Sequence, residues 1–206
     1  MSTSSVSRRN FLKTSAWLAV GISIPVAHGC KDDGVNPDPS DTCETTADIL
    51  GPYYKANSPL RENIIPDGDV TEPLAIIGKV YGNCDDVLKD ATVEIWNANT
   101  DGEYDVSEDF LFRGKYKTGE DGVYRFKTII PGRYLNGGTF RPSHIHFRIT
   151  APGYQELVSQ IYFKDDPFID TDPWASTTQA QERILTVTQD ENGMDTITFD
   201  IYLSNV

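Results

Sequence analysis

The chain has 206 residues, 38% of them hydrophobic and 11% aromatic, enough for one sizeable core and too few for two ordinary domains. Arg8, Arg9 and Lys13 are the only charges before Cys30, so of a formal charge of -13 the remainder keeps 15 basic residues against 31 acidic, or -16. A surface this acidic repels phosphate backbones and anionic headgroups, which excludes nucleic acid as a partner, and 16 Gly and 12 Pro among short apolar runs argue for strands and turns over helices.

In chain order, the first segment is Ser7-Arg8-Arg9-Asn10-Phe11-Leu12-Lys13, followed by the apolar stretch from Ala16 to Ala27 and then Gly29-Cys30. It resembles a twin-arginine export signal and marks residues 1–30 as a targeting segment. The apolar run is short for a bilayer span and contains Pro25, which argues against a membrane-anchoring helix. Cys30 lies where a lipoprotein precursor would be cut and acylated, although Ala27 and His28 depart from the usual residues before such a cysteine. Lipid attachment at Cys30, giving a membrane anchor, and simple cleavage both stay open. Residues 31–42 (KDDGVNPDPSDT) are polar, acidic and rich in Pro, and are expected to form a flexible tether. On an exported chain the two other cysteines, Cys43 and Cys84, are expected to form a disulfide, the alternative being two free thiols.

Residues 43–206 are expected to form one domain. From Cys43 to about Val70 the chain is irregular, with Gly51-Pro52-Tyr53-Tyr54 as its main feature. Strand patterns then follow at Leu74–Tyr81, Thr92–Asn97, Gly122–Thr128, His144–Thr150, Val158–Phe163, Leu185–Thr188 and Thr196–Leu203, each short and rich in β-branched or aromatic residues. The fold class is therefore all-β, a single β-sandwich of about seven or eight strands. Gly78 to Trp96 reads as an opening hairpin. Long connections at Asn97–Arg113, Pro131–Pro142 and Lys164–Gln181 are where function is expected to sit.

The segment Arg141-Pro142-Ser143-His144-Ile145-His146-Phe147-Arg148-Ile149 carries the chemistry. On a strand, alternate side chains leave on opposite faces, so Ile145, Phe147 and Ile149 take the core while His144 and His146 stand together on the other side. Two adjacent imidazoles are able to grip one metal ion; the alternative is an ordinary polar face on a non-catalytic exported binding module. Few cysteines are available, which argues against structural zinc.

Taken together, the runs Ala91–Tyr104 (ATVEIWNANTDGEY), Thr118–Tyr134 (TGEDGVYRFKTIIPGRY), Arg141–Phe147 (RPSHIHF) and Ser159–Phe163 (SQIYF) resemble the intradiol ring-cleavage dioxygenases, the family of catechol 1,2-dioxygenase and protocatechuate 3,4-dioxygenase. GPYY at Gly51 resembles the same family's entry loop, so the likeness runs from about Cys43 to the C-terminus. It implies an Fe(III) cofactor held by Tyr104, Tyr134, His144 and His146, with Tyr134 and His144 axial and Tyr104 and His146 equatorial at one edge of the sandwich. It implies a catechol substrate and O2, opened between the hydroxyl-bearing carbons to a muconate-type diacid. Arg141 is implied to face the substrate and stabilise charge, Tyr134 to act as a base, Gln160 to orient an oxygen, and Gly51, Pro52 and Tyr53 to line the substrate site. Tyr116, near a turn, and Tyr124, on a core face, are the competing tyrosines. The connection from Tyr134 to Arg141 is shorter than in the best-known members, and whether the chain forms an oligomer or needs a second, different subunit is left open.

Overall fold

The computed structural model describes residues 43–206, so the export segment (1–30) with Cys30 and the tether (31–42) lie outside the described residues. The described chain is almost entirely strand and loop. Its strands are β1 (Pro73–Gly82), β2 (Asp86–Val87), β3 (Thr92–Trp96), β4 (Arg113–Lys117), β5 (Val123–Ile129), β6 (Tyr134–Asn136), β7 (Thr139–Arg141), β8 (His144–Thr150), β9 (Leu157–Phe163), β10 (Ile184–Leu185), β11 (Thr188–Gln189), β12 (Asp195–Thr198) and β13 (Ile201–Leu203).

Two sheets face each other. In the first, β1 runs antiparallel to β5 and parallel to β12 and β13 along its length, with β2 and β11 at the margins; the second has the order β10-β9-β8-β3-β4. Alternation explains what lies between them. Leu74, Ile76 and Val80 of β1 and Tyr124 and Phe126 of β5 meet Val93 and Ile95 of β3, Ile145, Phe147 and Ile149 of β8, and Ile161 and Phe163 of β9 in one core. Tyr124 sits deep inside it, its hydroxyl donating to the Phe199 carbonyl at 2.6 Å.

Several elements differ from the sequence expectation, each for a physical reason. The Gly78–Trp96 segment is not one hairpin: β1 and β3 belong to opposite sheets, and only the two-residue β2 folds back on β1. β4 (RGKYK) has no apolar alternation, and its outer edge is covered by residues 59–61, Lys115 N donating to Pro59 O and Arg61 N to Lys115 O. Leu185–Thr188 divides because the chain changes sheets there, β10 pairing with β9 and β11 with β12. Thr196–Leu203 divides at Phe199-Asp200, where Phe199 N donates to Ile77 O and Lys79 N to the Asp200 carboxylate.

The N-terminal part of the domain ties both sheets together. Cys43 is disulfide-bonded to Cys84 after β1, with the Cα atoms 5.4 Å apart. Thr45 exchanges hydrogen bonds with Tyr202 of β13, and Asp48 N then reaches Val158 O of β9 at 2.8 Å. Residues 43–51 thus form a strap that starts on the first sheet and ends over the outer face of the second.

Candidate metal centre

The second sheet presents that outer face to the strap and to the long loops. β8 is its central strand, and the two histidines are the first and third residues of it, so they stand at one end of the sheet with strands on both sides. His144 and His146 are 2% and 1% exposed, with ring centroids 5.0 Å apart. His144 Nδ1 donates to the Pro142 carbonyl at 2.6 Å, which fixes its tautomer and leaves the Nε2 lone pair free. Burial, reinforced by the Arg141 charge, pushes the His144 pKa down to about 4, and burial together with His144 pushes His146 well below its usual value. Both imidazoles are neutral at pH 7.

Loops bring the tyrosines to them. Gly102, at φ +82°, lies so close to the Arg133 carbonyl that a side chain would collide, and this contact seats the Tyr104 loop on the Arg133-Tyr134 segment. Tyr104 Oη ends 3.1 Å from His144 Nε2 and 3.1 Å from His146 Nε2. Tyr134, at the start of the β6–β7 ribbon, packs edge-on to Tyr104 at 5.8 Å and tilted against His144 at 5.6 Å. All four residues named from the resemblance meet here. Tyr116 does not: it lies on β4, packed against the core and edge-on to Phe126, which removes it as a substitute ligand. Burial, with Tyr134 nearby, raises the Tyr104 pKa, so its phenolate form calls for a neighbouring cation.

The entry segment covers this cluster. Tyr53, 37% exposed, stacks on Tyr104 at 4.4 Å and stands edge-on to Tyr134. Gly51, at φ +73°, lies against His146, where an added Cβ would sit 3.1 Å from Cε1. Pro52 is exposed beside them.

Arg141 is buried in an ionic network. Its Nε donates to Asp172 Oδ2 at 2.8 Å and Nη2 to Oδ1 at 3.3 Å, while Nη2 also reaches Gln160 Oε1 and the Tyr162 hydroxyl, both at 3.2 Å. Trp174 covers the guanidinium at 4.4 Å. Burial opposes the charge, but the hydrogen bond to Asp172 and the negative charge of that carboxylate outweigh it and raise the Arg141 pKa. A second buried pair adjoins the first, Arg183 Nη1 to Asp48 Oδ2 at 2.6 Å, with Tyr162 donating to the same Asp48 oxygen at 2.9 Å. Gln160 is fully buried rather than outward-facing, and its Nε2 donates to Ile49 O at 2.7 Å. Both ends of its amide are engaged by the protein, which makes it a brace between the strap and Arg141.

Sequence reading missed Asp172, Tyr162, Asp48, Arg183, Trp174 and Trp96. A buried Arg141 demands a carboxylate, but only the folded loop shows which of many acids supplies it. Trp96 sits inside a run quoted for the resemblance, yet nothing in the alternation told that its indole would stack on His146.

The residues fit a cation. Tyr104 has one hydroxyl proton and faces Nε2 of two imidazoles, so it can donate to only one of them, and His146 Nδ1 finds no partner at normal geometry beyond a weak interaction with the Ile49 backbone. A cation among these atoms takes lone pairs from all three. Among the described residues no group of three or more His, Cys, Asp or Glu side chains is arranged to hold a metal.

Known proteins resemble this chain over most of its described length. A family model described as "Dioxygenase" matches residues 49–205. The chain is 34% identical over 149 residues to a chlorocatechol 1,2-dioxygenase of Cupriavidus pinatubonensis, covering 62% of this chain and 58% of that one. It is 33% identical over 172 residues to an intradiol ring-cleavage dioxygenase of Aspergillus niger, covering 68% and 50%. It thus spans 50 to 58% of the length of these relatives. Among solved structures, the dioxygenase domain of a dioxygenase carbohydrate-binding protein fusion from Streptomyces sp. SirexAA-E superposes with a TM-score of 0.68 at 32% identity, covering 79% of this chain and 99% of that domain. Sequence match and shared fold agree, and the chain belongs to the intradiol ring-cleavage dioxygenase family.

Proposed function

We propose that the protein is a non-haem Fe(III) intradiol dioxygenase that combines a catechol-type aromatic with O2 and opens the ring between the two hydroxyl-bearing carbons, giving a muconate-type diacid. The observation that carries this reading is the convergence of Tyr104 Oη on Nε2 of both His144 and His146, at 3.1 Å each. Tyr104, Tyr134, His144 and His146 would hold iron(III), which when bound supplies Lewis-acid charge that favours the catecholate and activates its ring toward O2.

The protein's own residues do the rest. Tyr134, which would be a tyrosinate with iron bound, would take the proton of one substrate hydroxyl on its Oη. Arg141, kept charged by Asp172, offers its guanidinium to the ring carbon as negative charge builds there. Gln160 holds Arg141 in place through its Oε1. Gly51, Pro52 and Tyr53 wall the substrate side, with Tyr53 keeping bulk water off Tyr104. The relatives' names support a catechol, with or without a ring substituent.

The same proposal places the enzyme in a bacterial cell envelope, exported by the twin-arginine route and lipid-anchored at Cys30, a reading supported by the sequence of residues 1–30.

Metal analysis and oxygen uptake on the purified full chain test the activity. Expected are about one iron per chain, visible absorption from tyrosinate ligation that changes in Tyr104→Phe, and one O2 consumed per catechol cleaved. Folded protein that takes up no iron and leaves catechol, chlorocatechol and hydroxyquinol unreacted would overturn the proposal in favour of a non-catalytic binding module.

A further inference from the structure

The two imidazoles of the centre are held in different ways. His144 follows the general habit of ligating histidines, its second nitrogen donating to a backbone carbonyl at 2.6 Å. His146 is held less firmly: its Nδ1 meets no partner at normal hydrogen-bond geometry, and the Ile49 backbone bears on the ring only weakly.

What touches the His146 ring instead is an indole. Trp96 lies directly across from His146 in the β3–β8 register, and the two rings stack at 4.7 Å with planes 8° apart. Gly51 closes the edge at Cε1, and Tyr104 stands edge-on at 5.9 Å. Trp96 is itself immobile: it is 1% exposed, sits inside a paired strand, and has Tyr54 against it at 5.1 Å.

The indole is not retained for its N–H. Trp96 Nε1 is buried and unpartnered, and leaving such a donor unsatisfied costs stability that a smaller apolar residue would not incur. What the residue presents is a rigid flat face. A ring lying parallel to that face cannot turn about its Cβ–Cγ bond without striking it, so Nε2 keeps pointing at Tyr104 Oη.

We propose that Trp96 is a positioning residue for His146, its stacked indole supplementing a weak second hydrogen bond in fixing that ring toward the metal. The inference rests on the metal-centre reading and goes beyond it.

Trp96→Leu removes the flat face and keeps apolar bulk, whereas Trp96→Phe keeps a face and loses the N–H. Two measurements on the full chain decide. In metal-free protein, long-range ¹H–¹⁵N correlation spectra of the histidine rings should show His146 as one sharp tautomer in the wild type and in Trp96→Phe. In Trp96→Leu the His146 signals should broaden or average while those of His144 stay put. In iron-loaded protein, Trp96→Leu should lose iron to a chelator about ten-fold faster or more, with a shifted visible band, and Trp96→Phe should change little. Thermal melts and an intact Cys43–Cys84 bond establish that the variants fold; should Trp96→Leu not fold, Trp96→Met carries the same expectation. A folded non-aromatic variant with wild-type His146 signals and wild-type iron release overturns the proposal. If wild-type protein binds no iron, the functional reading fails by itself, and the ring-nitrogen spectra still decide whether Trp96 holds His146.

Discussion

Replacing Asp172 by asparagine should be among the most damaging changes available on the outer face of the second sheet. Asp172 and Arg141 are 1% and 2% exposed, joined by two hydrogen bonds of 2.8 and 3.3 Å. The other acceptors of Arg141, Gln160 Oε1 and the Tyr162 hydroxyl, are neutral. Asparagine keeps the shape and an acceptor for the Trp174 and Ala175 amides but strands the guanidinium as a buried unpaired cation. Breaking one side of such a pair costs about 3–5 kcal/mol, on the order of 10 °C in melting temperature for a domain of this size. Urea and thermal unfolding at pH 7 measure it. The pH dependence has a definite sign. Burial works against the Asp172 charge, but hydrogen bonds from Arg141 and from the Ala175 and Trp174 amides hold its pKa below the usual value. A depressed folded pKa contributes stability that is fully present above the unfolded value of about 3.9 and is lost as pH falls through the folded one. The gap between wild type and Asp172→Asn should therefore narrow once pH drops below about 4. Arg141→Met combined with Asp172→Leu should recover part of the loss, because no charge is left stranded. A loss below about 1 kcal/mol at pH 7, or a gap that widens in acid, would refute the reasoning.

Arg141→Ala should lower kcat about 100-fold while changing KM much less, the scale of removing one preorganised donor; lysine should rescue only partly, and a wild-type kcat by oxygen uptake would retire the role. Cys84→Ser opens a loop of 41 residues and should cost about 4 kcal/mol by chain entropy, read as a lower urea midpoint. Arg8→Lys with Arg9→Lys should abolish export while leaving folded enzyme in the cytoplasm, and Cys30→Ala should free the domain from the membrane fraction; unchanged fractionation counts against each.

The parts of this protein legible in its sequence are those written in local pattern. Alternation in HIHFRIT assigns Ile145, Phe147 and Ile149 to the core and both histidines to the other face, and β8 has the expected bounds. Tyr104 and Tyr134 came from likeness to a family, since nothing local separates them from other tyrosines. What stayed hidden depends on chain crossings. β10 and β11 are two residues each and gain meaning only from partners in opposite sheets. Asp172 and Asp48 look like any of 31 acids until the loops fold over Arg141 and Arg183. Gln160, readable as an outward polar residue, is buried because the strap lays Ile49 O across it.

The disulfide gives that strap a mechanical property. A pull arriving at residue 43 from the N-terminal side meets two routes: along residues 44–51 to Gly51 and His146, or through the Cys43–Cys84 bond into the end of β1. The second is covalent and stiff, and β1 is laced to β5, β12 and β13 across the middle of the first sheet. Force is therefore shunted into the sheet that carries none of the candidate site, and the segment that touches His146 is spared most of it.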